Sequence, residues 1–169
     1  GPSVMSRYHN APEATREAFS GGWLRTGDLG YLSDGVLFVT GRLKELIELR
    51  GESYFPEDIE ALVRDTPGVY RHRCVSFGSP ADEEIVVVAE TALASAEERR
   101  RLADGLRARV SRALQISEIA VRLVEPRSIP RTTSGKFQRL LLRERLATGE
   151  IDADTLRQRD GVFTNARHD

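Results

Sequence analysis

The run Ile85-Val86-Val87-Val88-Ala89 constrains this chain more than any other stretch. A strand with one wet face alternates apolar and polar residues, and this run has no polar position. It reads as a central strand covered, at least in part, on both faces. Such a strand belongs inside a sheet with helices packed on it. Arg73 to Gly78 reads as a strand before it, across the turn Ser79-Pro80-Ala81-Asp82. Ile119 to Val124 reads as a further strand.

The helices are marked by their ends and by their apolar spacing. Pro56 opens one, with Ile59, Leu62 and Val63 on one face and Glu57, Asp58 and Glu60 near its N-terminus. Thr66-Pro67-Gly68 stops it. Ser95-Ala96-Glu97-Glu98 is a capping box that starts a second helix, striped by Leu102, Leu106, Val110, Ala113 and Leu114. Its other face holds Arg99, Arg100, Arg101, Arg107, Arg109 and Arg112, read as solvated, with a partner surface as the alternative. A third helix begins near Phe137, carries Leu140, Leu141, Leu142 and Leu146, and closes at Gly149. From residue 55 the order is helix, strand, strand, helix, strand, loop, helix. That predicts an α+β fold, a small domain with helices packed on a roughly three-stranded sheet.

Residues 3–40 share no obvious core with it. Pro12 suits the first turn of a short helix capped by Asn10 and ended by Gly21-Gly22. Residues 23–40 read as a β-hairpin turning at Ser33-Asp34-Gly35. Asp28 lies between Gly27 and Leu29, as a turn residue or as a place where a ligand nears the backbone. From Leu43 to Gly51 the chain reads as a strand pair, or as a strand ending in a glycine loop at Gly51-Glu52-Ser53. Arg42, Lys44 and Arg50 make this stretch cationic, which also suits an edge strand protected by charge.

Composition excludes several functions. The net charge of −1 gives no reason to expect nucleic acid or an anionic membrane as partner. No apolar run approaches the ~20 residues of a transmembrane helix. No signal peptide opens the chain, so a cytoplasmic location is expected. Cys74 is the only cysteine and reads as a buried, inert thiol. His9, His72 and His168 share no ligand spacing, so no metal site is expected.

The stretch Ile129-Pro130-Arg131-Thr132-Thr133-Ser134-Gly135-Lys136 carries the chemistry. Pro130 and Gly135 bracket small and hydroxyl residues, predicting an exposed, mobile loop that ends in one cation. That suits a reaction in which negative charge grows on a phosphoryl group. A solvated turn with a surface lysine is the other reading. The phosphate loop G-x-x-x-x-G-K-[ST] is excluded, because Pro130 stands at its first glycine and Phe137 follows the lysine.

Four stretches, in order, resemble the adenylate-forming acyl ligases, which include acyl-CoA synthetases, fatty acyl-AMP ligases and peptide-synthetase adenylation domains. Tyr8 to Thr15 resembles the family's Y-x-N-x-P-E-A-T, and Trp23 to Leu29 its [YW]-x-[RK]-T-G-D-[LI]. Gly41 to Gly51 with Pro56 to Glu60 resembles its hinge motif and following helix. Pro130 to Lys136 resembles its C-terminal lysine motif. Gly1-Pro2 reads as a tag remnant, and the resemblance implies that 3–41 is the end of a large N-terminal adenylation domain. A mobile C-terminal domain would span 42–149, followed by a polar tail over 150–169.

The resemblance also implies roles. Lys136 would be catalytic, standing between a carboxylate and the α-phosphate of ATP. Asp28 would accept hydrogen bonds from the ribose hydroxyls, and Arg42 would contact ribose or phosphate. Lys44 would be the hinge. Arg50, Gly51, Glu52 and Ser53 would form the loop that serves thioester formation. ATP and Mg²⁺ are implied, both requiring the N-terminal adenylation domain. Leu37 to Arg42, Tyr54 to Glu60 and the Arg71-x-Arg73-Cys74 stretch are most like fatty acyl-AMP ligases, while Gly51-Glu52 is closer to acyl-CoA synthetases. The expected substrate is therefore a fatty acid, and the expected acceptor the phosphopantetheine of an acyl carrier protein, with CoA as the alternative. Arg99, Arg100 and Arg107 are the cations expected to meet an acidic carrier protein. A free-standing carrier-binding module without catalysis is a further alternative.

Overall fold

A computed structural model describes residues 3–79 and 81–156. They fall in two units, Gly1–Lys44 and Glu45–Asp169. His168 and the proline of the expected 79–82 turn lie outside the described residues.

In the first unit α1 spans Pro12–Ala18, with proline in its first turn. The cap is Ala11 rather than Asn10, which lies at φ 52° and so leaves its side chain out of capping geometry. Thr15 takes over the local bonding: its hydroxyl donates to the Ala11 carbonyl at 2.8 Å and accepts the Tyr8 N–H. Strands β1, Phe19–Ser20, and β2, Trp23–Leu24, pair across Gly21-Gly22. Trp23 and Leu24 therefore turn back on β1 instead of joining the next hairpin. That hairpin is β3, Asp28–Ser33, with β4, Val36–Arg42. Asp34 and Gly35, at φ 51° and 77°, form the mirror-image two-residue turn that matches strand twist. Gly30 sits where the register slips, and a Cβ there would stand 2.5 Å from the Phe38 carbonyl oxygen. None of the described residues 3–44 is buried.

The second unit holds the core. A 3-10 turn, Leu43–Glu45, leads to β5, Ile47–Leu49, and β6, Glu52–Tyr54. Of the two readings for this stretch, the strand pair is the one formed. Then come α2, Pro56–Val63; β7, Cys74–Ser79; β8, Glu84–Glu90; α3, Ala96–Leu114; β9, Ile119–Val124; α4, Arg139–Ala147; and β10, Asp154–Leu156. The sheet order is β10-β9-β8-β7, with β8 and β9 parallel and the outer pairs antiparallel. Parallel neighbours need a crossover, and α3 supplies it.

The apolar run is now explained by its alternation. Ile85, Val87 and Ala89 pack with Ile59 and Val63 of α2 and Leu102, Leu106 and Val110 of α3. Val86 and Val88 belong to the opposite cluster, with Ile129 and with Leu142 of α4. Ser95 caps α3 by accepting the Glu98 N–H.

Two expectations are corrected here. The sheet has four strands, because residues 154–156 add to the free edge of β9 instead of continuing a polar tail. The tail's remainder, 157–169, lies outside the described residues. The arginine face of α3 is also not uniformly solvated. Arg99 donates to Asp154 at 2.6 Å, to Glu125 at 3.0 Å and to the Leu123 carbonyl, tying α3 to the sheet edge. Arg107 is buried and donates to Asp104 and the Ile119 carbonyl. Their apolar stems cover the sheet while the heads reach carbonyls and carboxylates at its rim. These two arginines are thus committed inside the unit and do not face a carrier protein.

Cys74 is buried on the α2 face, and burial, with the nearby Glu60 charge, pushes its thiol up to about 12. The stability gained by keeping the thiol neutral is complete below its ordinary pKa of about 9 and is lost as pH rises towards 12. Iodoacetamide at pH 8 should therefore label the folded chain at least ~100-fold more slowly than the urea-unfolded chain. Equal rates would show that the thiol is open and reactive.

Candidate functional site

The lysine stretch is built from its two ends inward. Ile129 is buried in the α4-side cluster, and its N–H donates to the Glu90 carboxylate at 3.0 Å. Glu90 ends the central strand with its side chain fully enclosed, and its other oxygen accepts from Arg73 at 3.2 Å. A carboxylate this deep persists only when both oxygens are bonded.

Beyond Ile129 the chain makes a small hairpin rather than an open loop. The Gln138 N–H donates to the Pro130 carbonyl, and the Thr132 N–H to the Lys136 carbonyl. The Gly135 N–H closes the turn on the Thr132 carbonyl, and Gly135 is at φ 86°, a conformation natural to glycine. The Thr132 hydroxyl accepts the Lys136 N–H at 3.1 Å and shares a hydrogen bond with Ser134. Arg131 stacks on Phe137, its guanidinium carbon 4.3 Å from the ring centre. The hydroxyl residues thus organise the turn. Lys136 is exposed, and among the described residues its ammonium has no ion-pair partner.

At the far end Arg139 opens α4 and is held by three carboxylates. It donates to both oxygens of Glu60, at 3.1 and 2.9 Å, meets Glu57 at 3.0 Å, and bonds Glu45. Glu60 also accepts the Ser76 N–H at 2.9 Å, which ties this cluster to β7. Burial pushes the Glu60 carboxyl above its usual range, against the pull of Arg139. Burial opposes the charge on Arg139 too, but Glu60, Glu57 and Glu45 outweigh it and raise its pKa further. Three carboxylates around one guanidinium thus hold the cation firmly, while burial is what raises the Glu60 carboxyl.

In the first unit, Asp28 and Arg42 are cross-strand partners, with Nε 3.2 Å from Oδ1. The Asp28 N–H donates to the Thr26 hydroxyl, and both charged side chains are exposed. The structure therefore brings together two of the residues singled out for the nucleotide. Lys44 lies exposed in the 3-10 turn, next to Glu45.

Arg50 and Gly51, at φ 53° and 82°, form the turn between β5 and β6, and Glu52 and Ser53 start the return strand. Arg50 pairs with Glu118, just before β9, where backbone N–H groups and then Arg50 hold the carboxyl below its usual range. The lysine hairpin, by contrast, is tied at Ile129 to Glu90, level with the last residue of β9. The two candidate loops are anchored at opposite ends of β9.

The residues that sequence reasoning missed are Glu45, Glu60, Glu90 and Arg139. Glu90 did leave a signal, since a charge at the end of an enclosed strand needs a buried partner. The bond from Arg139 to Glu60 spans 79 residues and left none.

The chain matches the family model described as AMP-binding enzyme C-terminal domain over residues 51–143. It is 34% identical over 158 residues to "Acyl-CoA ligase clz12" of Cochliobolus lunatus, covering 92% of this chain and 44% of that protein. It is 32% identical to "Medium-chain-fatty-acid--[acyl-carrier-protein] ligase JamA" of Moorena producens, over 89% of this chain and 28% of that one. A solved chain from work on fatty acyl-adenylate ligases of E. coli and L. pneumophila superposes with a TM-score of 0.77 at 37% identity. It covers 89% of this chain, and this chain covers 27% of it. The chain thus spans less than half the length of each of these relatives.

Proposed function

Because this chain belongs to the AMP-binding enzymes and carries their C-terminal domain, we propose that it supplies the lysine-bearing C-terminal part of an ATP-dependent acyl ligase. The reaction is attack of a fatty-acid carboxylate oxygen on the α-phosphorus of ATP. The bond to the bridging oxygen breaks and pyrophosphate leaves. Two anions must approach, and charge grows on the phosphoryl oxygens. Lys136 is the cation that meets both, and the observation that carries this reading is its placement. It is an exposed, unpaired ammonium, among the described residues, on a self-bonded hairpin fastened at Ile129 and Arg139. A hairpin held in place before the reaction limits the reorganisation needed to bring that charge to the phosphate.

Asp28 accepts the ribose hydroxyls. Arg42, beside it, keeps that carboxylate oriented and reaches ribose or phosphate. ATP would bring Mg²⁺, whose charge would offset that of the phosphates. The family resemblance assigns its ligands mostly to the N-terminal adenylation domain. Rotation at Lys44 then withdraws Lys136 and presents the turn of Arg50, Gly51, Glu52 and Ser53 for thioester formation. Few residues absorb such a hinge motion. Anchoring of the two loops at opposite ends of β9 suits their alternate use. No helix among the described residues is long and apolar enough to cross a membrane.

The acceptor is the phosphopantetheine thiol of an acyl carrier protein. The second reading, transfer to CoA, is favoured by Gly51-Glu52 and by the name of the Cochliobolus relative. The test is to supply acyl-adenylate to the chain joined to its adenylation domain, with carrier protein and CoA compared as acceptors. Carrier-protein thioester should form at least ~10-fold faster, and a preference for CoA would establish the second reading. This chain alone, given ATP and fatty acid, should release no pyrophosphate. Turnover by it would sink the two-domain mechanism.

A further inference from the structure

We propose that Arg139 is a positioning residue for Lys136, and that its bond to Glu45 couples the lysine hairpin to the hinge. The proposal rests on the roles given above to Lys136 and Lys44. Arg139 follows the lysine by three residues, directly after Gln138 closes the hairpin on Pro130. It is thus the point at which the hairpin meets the rest of the fold. Its side chain is only 12% exposed. A fork shared by three carboxylates fixes the direction in which α4 begins, and hence the base of the hairpin.

The three carboxylates are not equivalent. Glu60 is committed to the sheet through the Ser76 N–H. Glu57 lies in the first turn of the same helix, α2. Glu45 comes from elsewhere, immediately after Lys44, and among the described residues Arg139 is its one ion-pair partner. With this bond made, residue 45 travels with the sheet and the lysine hairpin as one body. Rotation is then confined to Lys44 and the residues before it. With the bond broken, torsion spreads past residue 45, and the rotation no longer has a defined stop. Misplacing a reacting group by about 1 Å is enough to cost ~100-fold in rate.

The chain joined to its adenylation domain carries the test, with E45Q, R139Q and R139K assayed in both half-reactions beside K136A. E45Q removes one arm of the fork and leaves the Glu57 and Glu60 bonds intact, so it keeps the test open where R139Q does not fold. The expected result for E45Q is a ~10-fold lower kcat for adenylation with KM for ATP within about twofold. Thioester transfer from supplied acyl-adenylate should fall by less. R139Q should lose more, R139K should recover part of that loss, and E45Q should add nothing to R139Q. A purely structural role would instead lower both half-reactions and the melting temperature together, and that result overturns the proposal.

A second readout separates this proposal from the function it rests on. Amide hydrogen exchange at Thr132 and Lys136 should be at least ~10-fold faster in R139Q than in the wild type, under conditions where β8 stays protected. If K136A leaves adenylation intact, the function assigned to Lys136 fails, and the exchange rates still decide whether Arg139 holds the hairpin. If K136A abolishes adenylation while E45Q and R139Q keep both the rate and the slow exchange, the coupling fails alone.

Discussion

Replacing Lys136 with alanine should lower acid-dependent pyrophosphate release by ~100- to 1,000-fold in the two-domain enzyme. That is the usual loss when one preorganised stabiliser of developing charge is removed. Thioester formation from supplied acyl-adenylate should be nearly unaffected, because the thiol attacks the acyl carbon with AMP leaving, a step for which the proposed rotation has already withdrawn Lys136. The reason to expect so sharp a split lies in the hairpin. The backbone at Lys136 is held by Thr132 through both its N–H and its carbonyl. Those bonds do not involve the side chain, so truncation removes the ammonium without loosening the turn. The two half-reactions are measured separately, one by pyrophosphate release and one by thioester yield. If adenylation survives, Lys136 is a surface lysine and the mechanism is wrong. If both steps fall together, the substitution has disturbed domain docking, and the specific role of the ammonium is refuted for that variant.

Leu106→Ala should destabilise the second unit by about 2–5 kcal/mol in urea unfolding. The Leu106 side chain is fully buried between α3 and the Ile85, Val87 and Ala89 face of the sheet. Removing it leaves a cavity in the layer that joins α2, α3 and the central strand. The loss is a large part of the 5–15 kcal/mol that holds most domains together. Leu140→Ala is the control: Leu140 is 58% exposed on α4, and its loss should cost no more than about 0.5 kcal/mol. Comparable costs for the two variants would mean that the packing described for α3 is not the core of this unit.

Much of this architecture was legible from local signals. The apolar run of β8 required cover on both faces, and α2, α3 and α4 supply it. The Ser95 cap and the Pro56 start set two helices close to where spacing placed them. Local reading went astray where two signals competed. Asn10 is a good cap by type, but the chain turns through positive φ at that residue. Gly21-Gly22 reads as a helix stop and is also a hairpin turn, which drew Trp23 and Leu24 into a separate strand pair. Asp154 to Leu156 look like polar tail, since an edge strand of three residues has no pattern long enough to detect.

The candidate site divides in the same way. Lys136, Asp28, Arg42, Lys44 and the turn at Arg50-Gly51 are each visible as residues in short motifs. The pairing of Asp28 with Arg42 follows from the register of one hairpin. The inward turn of Arg99 and Arg107 does not follow from helix spacing, because a stripe marks the centre of a buried face and not its margins. Nor does the Arg139 cluster, whose partners lie 79 and 94 residues earlier in the chain. By itself the sequence determined most elements of the second unit, their order and the place of the lysine, because propensity, capping and turn chemistry act over a few residues. Only the tertiary structure decided which charges are buried against one another, because that depends on surfaces that meet after the sheet and helices have packed.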